Sequence, residues 1–148
     1  MHLRARIAED MKTAMRAKDA SRLLAIRLLL AAIKQREVDE RIDLTDVDVL
    51  AIIEKMIKQR RDSIEQFGKG GRQDLVDKEQ FEIGVVEGYM PAALSAEEVD
   101  AAVSGAISSS GANGMAEMGK VMALLKPVLA GRADIGKVSA IVKARLSG

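Results

Sequence analysis

The densest set of groups able to do chemistry lies in Lys58-Gln59-Arg60-Arg61, with Glu79 and Glu82 further along the chain. Two carboxylates one helical turn apart can serve as general acid and base only where their surroundings separate their pKa values inside a pocket. Nothing in the sequence indicates such a pocket, so no catalytic residue is assigned. On a helix Lys58 and Arg61 share a face at i,i+3, whereas Arg60 is turned about 100° from Arg61. The residue types fit a structural ion-pair network of Lys58, Arg60, Arg61, Glu79 and Glu82 between two antiparallel helices. In that arrangement Arg61 reaches Glu79 or Glu82. The alternative is a basic patch touching phosphate.

A second candidate lies near the C-terminus, in Gly131-Arg132-Ala133-Asp134 followed by Gly136-Lys137. A helix opening there would offer free N–H groups and partial positive charge to an anion, with Arg132 and Lys137 closing on it. The competing reading is an ordinary turn in which Asp134 takes those N–H groups itself. Charge is unevenly distributed. Residues 1–90 carry 17 basic and 17 acidic groups, whereas residues 111–148 carry six basic groups against Glu117 and Asp134, a net charge of +4. That bias makes Lys120, Lys126, Arg132, Lys137 and Lys143 the candidate nucleic-acid contacts. Lys120 and Lys126 are six positions apart and do not share a face cleanly. Met115, Met118 and Met122 read as core. Ser108-Ser109-Ser110 has no base to activate a nucleophile.

Composition removes other chemistries. The chain of 148 residues has no Cys, no Trp and one His, His2 at the start. Disulfides, thiolate metal sites and cysteine or histidine catalysis therefore lack material, and neither a metal nor a cofactor is expected. Phosphate-loop and dinucleotide fingerprints do not occur. Three aromatic rings, Phe67, Phe81 and Tyr89, leave little for base stacking, so any RNA contact would be to backbone and shape. The most apolar run, Leu23 to Ile33, contains Arg27 and is too short to span a bilayer. With no signal-peptide core at the start, the expectation is a soluble protein in a reducing, cytoplasmic setting.

These residues must be carried on helices. Leu3, Ile7, Met11, Ala14 and Met15 recur at three- and four-residue steps, predicting a first helix over 2–17. Asp19 or Ser21 can cap a second running to Arg41. Thr45 with Asp48 forms a capping box ahead of a stripe of Val49, Ile52, Ile53, Met56, Ile57, Ile64 and Phe67, ended by Gly68, Gly70 and Gly71. A fourth helix over 73–89 contains Gly84 and Gly88, which weaken it. Met90-Pro91 breaks the pattern. Ser95 with Glu98 opens a second capping box, and three short helices follow over 95–109, 115–130 and 135–146. The reading is an all-α chain: an N-terminal bundle of about four helices over 1–91 and a three-helix domain over 92–148.

The run Ile57-Lys-Gln-Arg-Arg-Asp-Ser-Ile-Glu-Gln-Phe67, then Gly71-Arg72, Asp74-Leu75, Lys78-Glu79 and Tyr89-Met90-Pro91, resembles the YqeY family. So do Met118-Gly-Lys-Val-Met122 and Gly131-Arg-Ala-Asp134. The resemblance covers essentially the whole chain. It implies a C-terminal unit similar to the tail of the B subunit of glutamine-dependent aminoacyl-tRNA amidotransferase, where the tail helps engage tRNA. A carbon–nitrogen ligase association with glutamine as amido donor follows from the resemblance alone, with tRNA or the tRNA amidation machinery as partner. A protein-interaction adaptor is the alternative. Gly84, Gly88 and Met90 depart from the family's usual pattern.

Overall fold

Helix boundaries follow from local hydrogen bonding at caps. In the computed structural model, which describes residues 2–147, the Thr45 side chain accepts from the Asp48 N–H while the Asp48 carboxylate accepts from the Thr45 N–H. This starts α3 (Asp46–Lys69) after α1 (Leu3–Arg16) and α2 (Ala20–Glu40). Asp19 caps α2 by accepting from the Arg22 N–H at 3.2 Å. The Ser95–Glu98 box starts α5 (Ala96–Ser110) in the same way. Between them runs α4 (Gln73–Glu87), and beyond them lie α6 (Met118–Leu129) and α7 (Ile135–Ser147). Among the described residues there is no strand, and the all-α reading stands.

The Asp48 carboxyl is held below its ordinary value, chiefly by the Thr45 backbone N–H. A depressed carboxyl contributes stability at pH values above the usual aspartate range of about 3.9 and loses it as pH falls through the lowered value. Acid titration of Asp48→Asn, which removes the titrating carboxyl, beside the unaltered chain checks this. Their difference in stability should be constant near neutrality and shrink only below about pH 4.

Several boundaries differ from the sequence reading. The sixth helix was expected from 115, but Met115–Glu117 is a 3-10 turn and α6 begins at Met118. Gly114 is extended and no side chain caps the turn, so the tighter bonding persists there. The fourth helix was expected to reach Tyr89 and to be weakened by both glycines. Instead α4 runs through Gly84, and Gly88 is its C-terminal cap residue. A methyl group at Gly84 would meet nothing within 4 Å. Gly84→Ala should therefore raise stability by about 0.5–1 kcal/mol by restricting the unfolded chain, read as a higher denaturation midpoint. A lower midpoint would contradict it.

The chain divides into two compact units, Met1–Met90 and Pro91–Gly148. In the first, α3 packs along α4, α1 on α2, and α2 on α4. Ile7, Ile26, Leu29, Ile33, Ile53 and Val86 are fully buried between them. In the second, α5 and α7 both pack on α6 around Val103, Val121, Leu125, Leu129, Val138 and Val142. No described helix is long and apolar enough to cross a membrane.

Candidate functional site

In the N-terminal unit the short turn Gly70–Arg72 folds α4 back against α3. Arg60 then meets both carboxylates. Its Nη1 donates to Glu79 Oε2 at 3.1 Å and also to Glu82. Arg60 keeps 13% of its side chain exposed, and Glu82, at 3%, is the one buried charged residue among the described residues. The sequence reading chose Arg61 for this role, and the structure corrects it: Arg61 reaches Glu87 at 3.2 Å on the surface. Lys58 is exposed and outside the cluster. The reason is rotational. Arg60 lies three residues after Ile57 and four before Ile64, so it occupies a position in the apolar stripe that turns toward α4. A gap in that stripe filled by arginine was the available signal. Arg60 Nε is buried without a hydrogen-bond partner.

A second cluster escaped sequence reasoning. The Tyr89 hydroxyl donates to Asp10 Oδ2 at 2.6 Å, and the Arg6 guanidinium lies 5.0 Å from the ring centroid. Burial, then the neighbouring Asp10 carboxylate, pushes the Tyr89 hydroxyl above its ordinary value. Separation of 79 residues between the partners hides this contact from any local pattern.

In the C-terminal unit the loop before α7 takes the capping form. Asp134 Oδ1 accepts from the N–H groups of Gly136 at 2.8 Å and Lys137 at 3.4 Å. A Cβ at Gly136 would lie 3.1 Å from that oxygen, so the glycine leaves room for the carboxylate to fold over the helix end. Of the two readings the sequence leaves open for this loop, the structure takes the capping turn, because the Asp134 carboxylate occupies these N–H groups in place of an anion. Gly131, at φ +72°, makes the left-handed turn. Arg132 is also engaged: its Nε donates to the Ala92 carbonyl at 3.2 Å, and its own carbonyl accepts from the Leu94 N–H at 2.8 Å.

Lys120 Nζ lies 3.8 Å from Glu117. Arg145 Nη2 lies 3.5 Å from Asp100, and Arg145 donates to Ser104. Lys126, Lys137 and Lys143 are exposed, with no side-chain ion pair among the described residues. Folding α5 against α6 brings Glu97, Glu98 and Asp100 into this unit, so residues 91–148 hold six basic and five acidic groups. The +4 of residues 111–148 becomes +1 for the unit. No group of three or more His, Cys, Asp or Glu able to hold a metal occurs among the described residues.

The model of the YqeY family, described as Yqey-like protein, matches residues 4–146, and the chain belongs to that family. Among curated proteins it is 46% identical over 100 residues to "Altered inheritance of mitochondria protein 41, mitochondrial" of Eremothecium gossypii, covering 66% of this chain and 55% of that protein. The Kluyveromyces lactis protein of the same name is 44% identical over 102 residues, covering 67% and 55%. That of Lachancea thermotolerans is 43% identical over 104 residues, covering 68% and 55%. The chain thus spans about half the length of the curated relatives it matches. Their names, which place those relatives in mitochondria, overturn the expected cytoplasmic setting. Absence of cysteine suits any compartment and so could not choose one.

Proposed function

We propose that this chain is a tRNA-contacting accessory module linked to glutamine-dependent amidation of misacylated tRNA, working in a mitochondrial setting like that in its relatives' names. The observation that carries the reading is the exposure of Lys126, Lys137 and Lys143 without ion-pair partners in a small unit whose other cations are engaged. Exposed lysines of this kind suit phosphate contact, since each phosphate they neutralise releases a counterion from the RNA. Arg132 is engaged with Ala92 and Lys120 stands beside Glu117, so they contribute less. In this reading the module holds a substrate for chemistry done elsewhere.

The test is a tRNA titration at two salt concentrations, repeated with Lys126, Lys137 and Lys143 changed to Glu. Binding should weaken at least tenfold, and the slope of log affinity against log salt should fall by about 1 for each phosphate no longer neutralised. Affinity indifferent to salt and to these changes would sink the reading. A second reading, a helical protein-interaction adaptor, is favoured by Leu124 and Val128, one turn apart on α6 and 46% and 58% exposed. Co-purification with a polypeptide and no absorbance at 260 nm would select it.

A further inference from the structure

Charge balance in the N-terminal unit is an average. Residues 11–36 carry seven basic groups against Asp19 alone, and the Asp19 carboxylate is engaged in capping α2. Lys12 pairs with Glu9, and Arg36 with Glu40 and Asp48. The other five, Arg16, Lys18, Arg22, Arg27 and Lys34, are exposed and have no ion-pair partner among the described residues. Arg22 lies near Tyr89, whose hydroxyl is held by Asp10, which leaves Arg16, Lys18, Arg27 and Lys34 uncompensated. On the flanking α4, Glu79 and Glu82 share Arg60, Glu87 meets Arg61 and Asp74 meets Arg72, so that side adds no positive charge. The same stretch of α2 is apolar on both sides. Ile26, Leu29 and Ile33 are fully buried, yet Leu24 and Leu28, each about 200° around the helix from Ile26, are 44% and 42% exposed. Ala31 and Val38 continue this outward stripe at seven-residue steps from Leu24, over about 21 Å. Arg27 and Lys34, also seven apart, run along its edge, and Met15 is exposed at the α1–α2 turn with Arg16 and Lys18. No acidic residue interrupts the stripe between Asp19 and Glu37.

We propose that this face docks on an anionic lipid surface, with Leu24 and Leu28 seated at the headgroup boundary and Arg16, Lys18, Arg27 and Lys34 on lipid phosphates. A helix that is apolar all round is normally covered all round, whereas α2 is covered on one side only. Charge complementarity names the missing cover. Cations flanking an apolar stripe are the arrangement that lies in a membrane interface. There the apolar side chains enter by about 5–10 Å and the long basic ones reach back to phosphate. Each basic residue close to a negative membrane surface strengthens binding about fivefold, an attraction that salt weakens. A second copy of this chain would set the same cations against one another with no acid on the face to meet them. RNA phosphate would satisfy the cations and leave Leu24 and Leu28 in water, so it accounts for only part of the surface. The face lies wholly in the N-terminal unit and does not depend on the lysines of the C-terminal one.

The experiment is co-sedimentation of the full chain with vesicles of phosphatidylcholine alone and of an equimolar mixture of phosphatidylcholine and phosphatidylglycerol. Binding to the mixture should be about tenfold stronger or more, and should fall as salt is raised. Arg16→Gln and Arg27→Gln should each weaken it about fivefold. Both side chains are exposed, so the helical circular dichroism of these variants should match that of the unaltered chain. The chain has no Trp, so Leu28→Trp supplies a depth probe whose emission should move to the blue on the mixed vesicles. Sedimentation without that blue shift means adsorption by charge alone and overturns the proposal. Failure to sediment, or binding indifferent to both arginine changes, overturns it too. A concentration-dependent dimer that shifts the same Trp emission without lipid assigns the face to a second copy. Arginine changes that weaken tRNA binding and leave vesicle binding intact assign it to RNA, and in either case the proposal falls. The Lys126, Lys137 and Lys143 variants should bind vesicles normally, which separates this face from the tRNA surface.

Discussion

Arg60→Ala should lower the stability of the N-terminal unit by about 3–5 kcal/mol, the largest effect of any single change to a charged residue here. Most of that loss comes from what is left behind. Glu82 is 3% exposed and lies beside the buried Ile83 on α4, so without the guanidinium its carboxylate loses its ion-pair partner while staying largely out of water. The pair itself is a weaker contributor than this figure suggests, because desolvating two ions offsets much of their attraction. The double variant Arg60→Met with Glu82→Leu should therefore recover most of the loss. Denaturant unfolding reads both, as shifts in midpoint at unchanged slope. An Arg60→Ala loss below about 1 kcal/mol would mean that Glu82 finds water or another donor, and the view of this cluster as a buried lock would fall.

Leu125→Ala should cost about 2–5 kcal/mol, nearly as much in absolute terms and more in consequence. Leu125 is 2% exposed in the core that α6 shares with α5 and α7. A unit the size of residues 91–148 has a total stability of roughly 3–9 kcal/mol, so a cavity of that cost consumes much of it. The expected outcome is loss of dispersed resonances from α5, α6 and α7 while those of α1 to α4 keep their positions. If the whole chain instead unfolded in one step, the two units would share a single cooperative transition. The same variant should lose tRNA affinity with its folded C-terminal unit.

Features decided within one turn of helix were legible in the residues alone. Thr45 with Asp48 and Ser95 with Glu98 close their capping boxes over three positions, and the hydrogen bonds form wherever the rest of the chain lies. Asp134 was weighed as a cap and is one. The family, too, could be seen in the motifs, which span most of the chain. What failed to be legible was pairing across elements. On an isolated helix Arg60 and Arg61 are equally placed to reach α4, and only the inward turn of the apolar stripe through Ile57 and Ile64 separates them. Asp10 and Tyr89 share no sequence neighbourhood at all.

The sequence by itself determined an all-helical chain, most of its helix ends and a break at Met90-Pro91, because propensity, capping and apolar periodicity act over a few residues. Tertiary structure decided which charges are occupied. Packing α4 on α3 buried Arg60 with Glu79 and Glu82 and left Arg61 at the surface. Packing α5 on α6 and α7 brought acidic residues into a segment that looked strongly basic, engaging Arg145 and leaving Lys126, Lys137 and Lys143 open. The physical reason is range. A capping hydrogen bond depends on the conformation of four residues, whereas an ion pair between helices depends on their relative rotation and on side-chain reach, which packing alone sets.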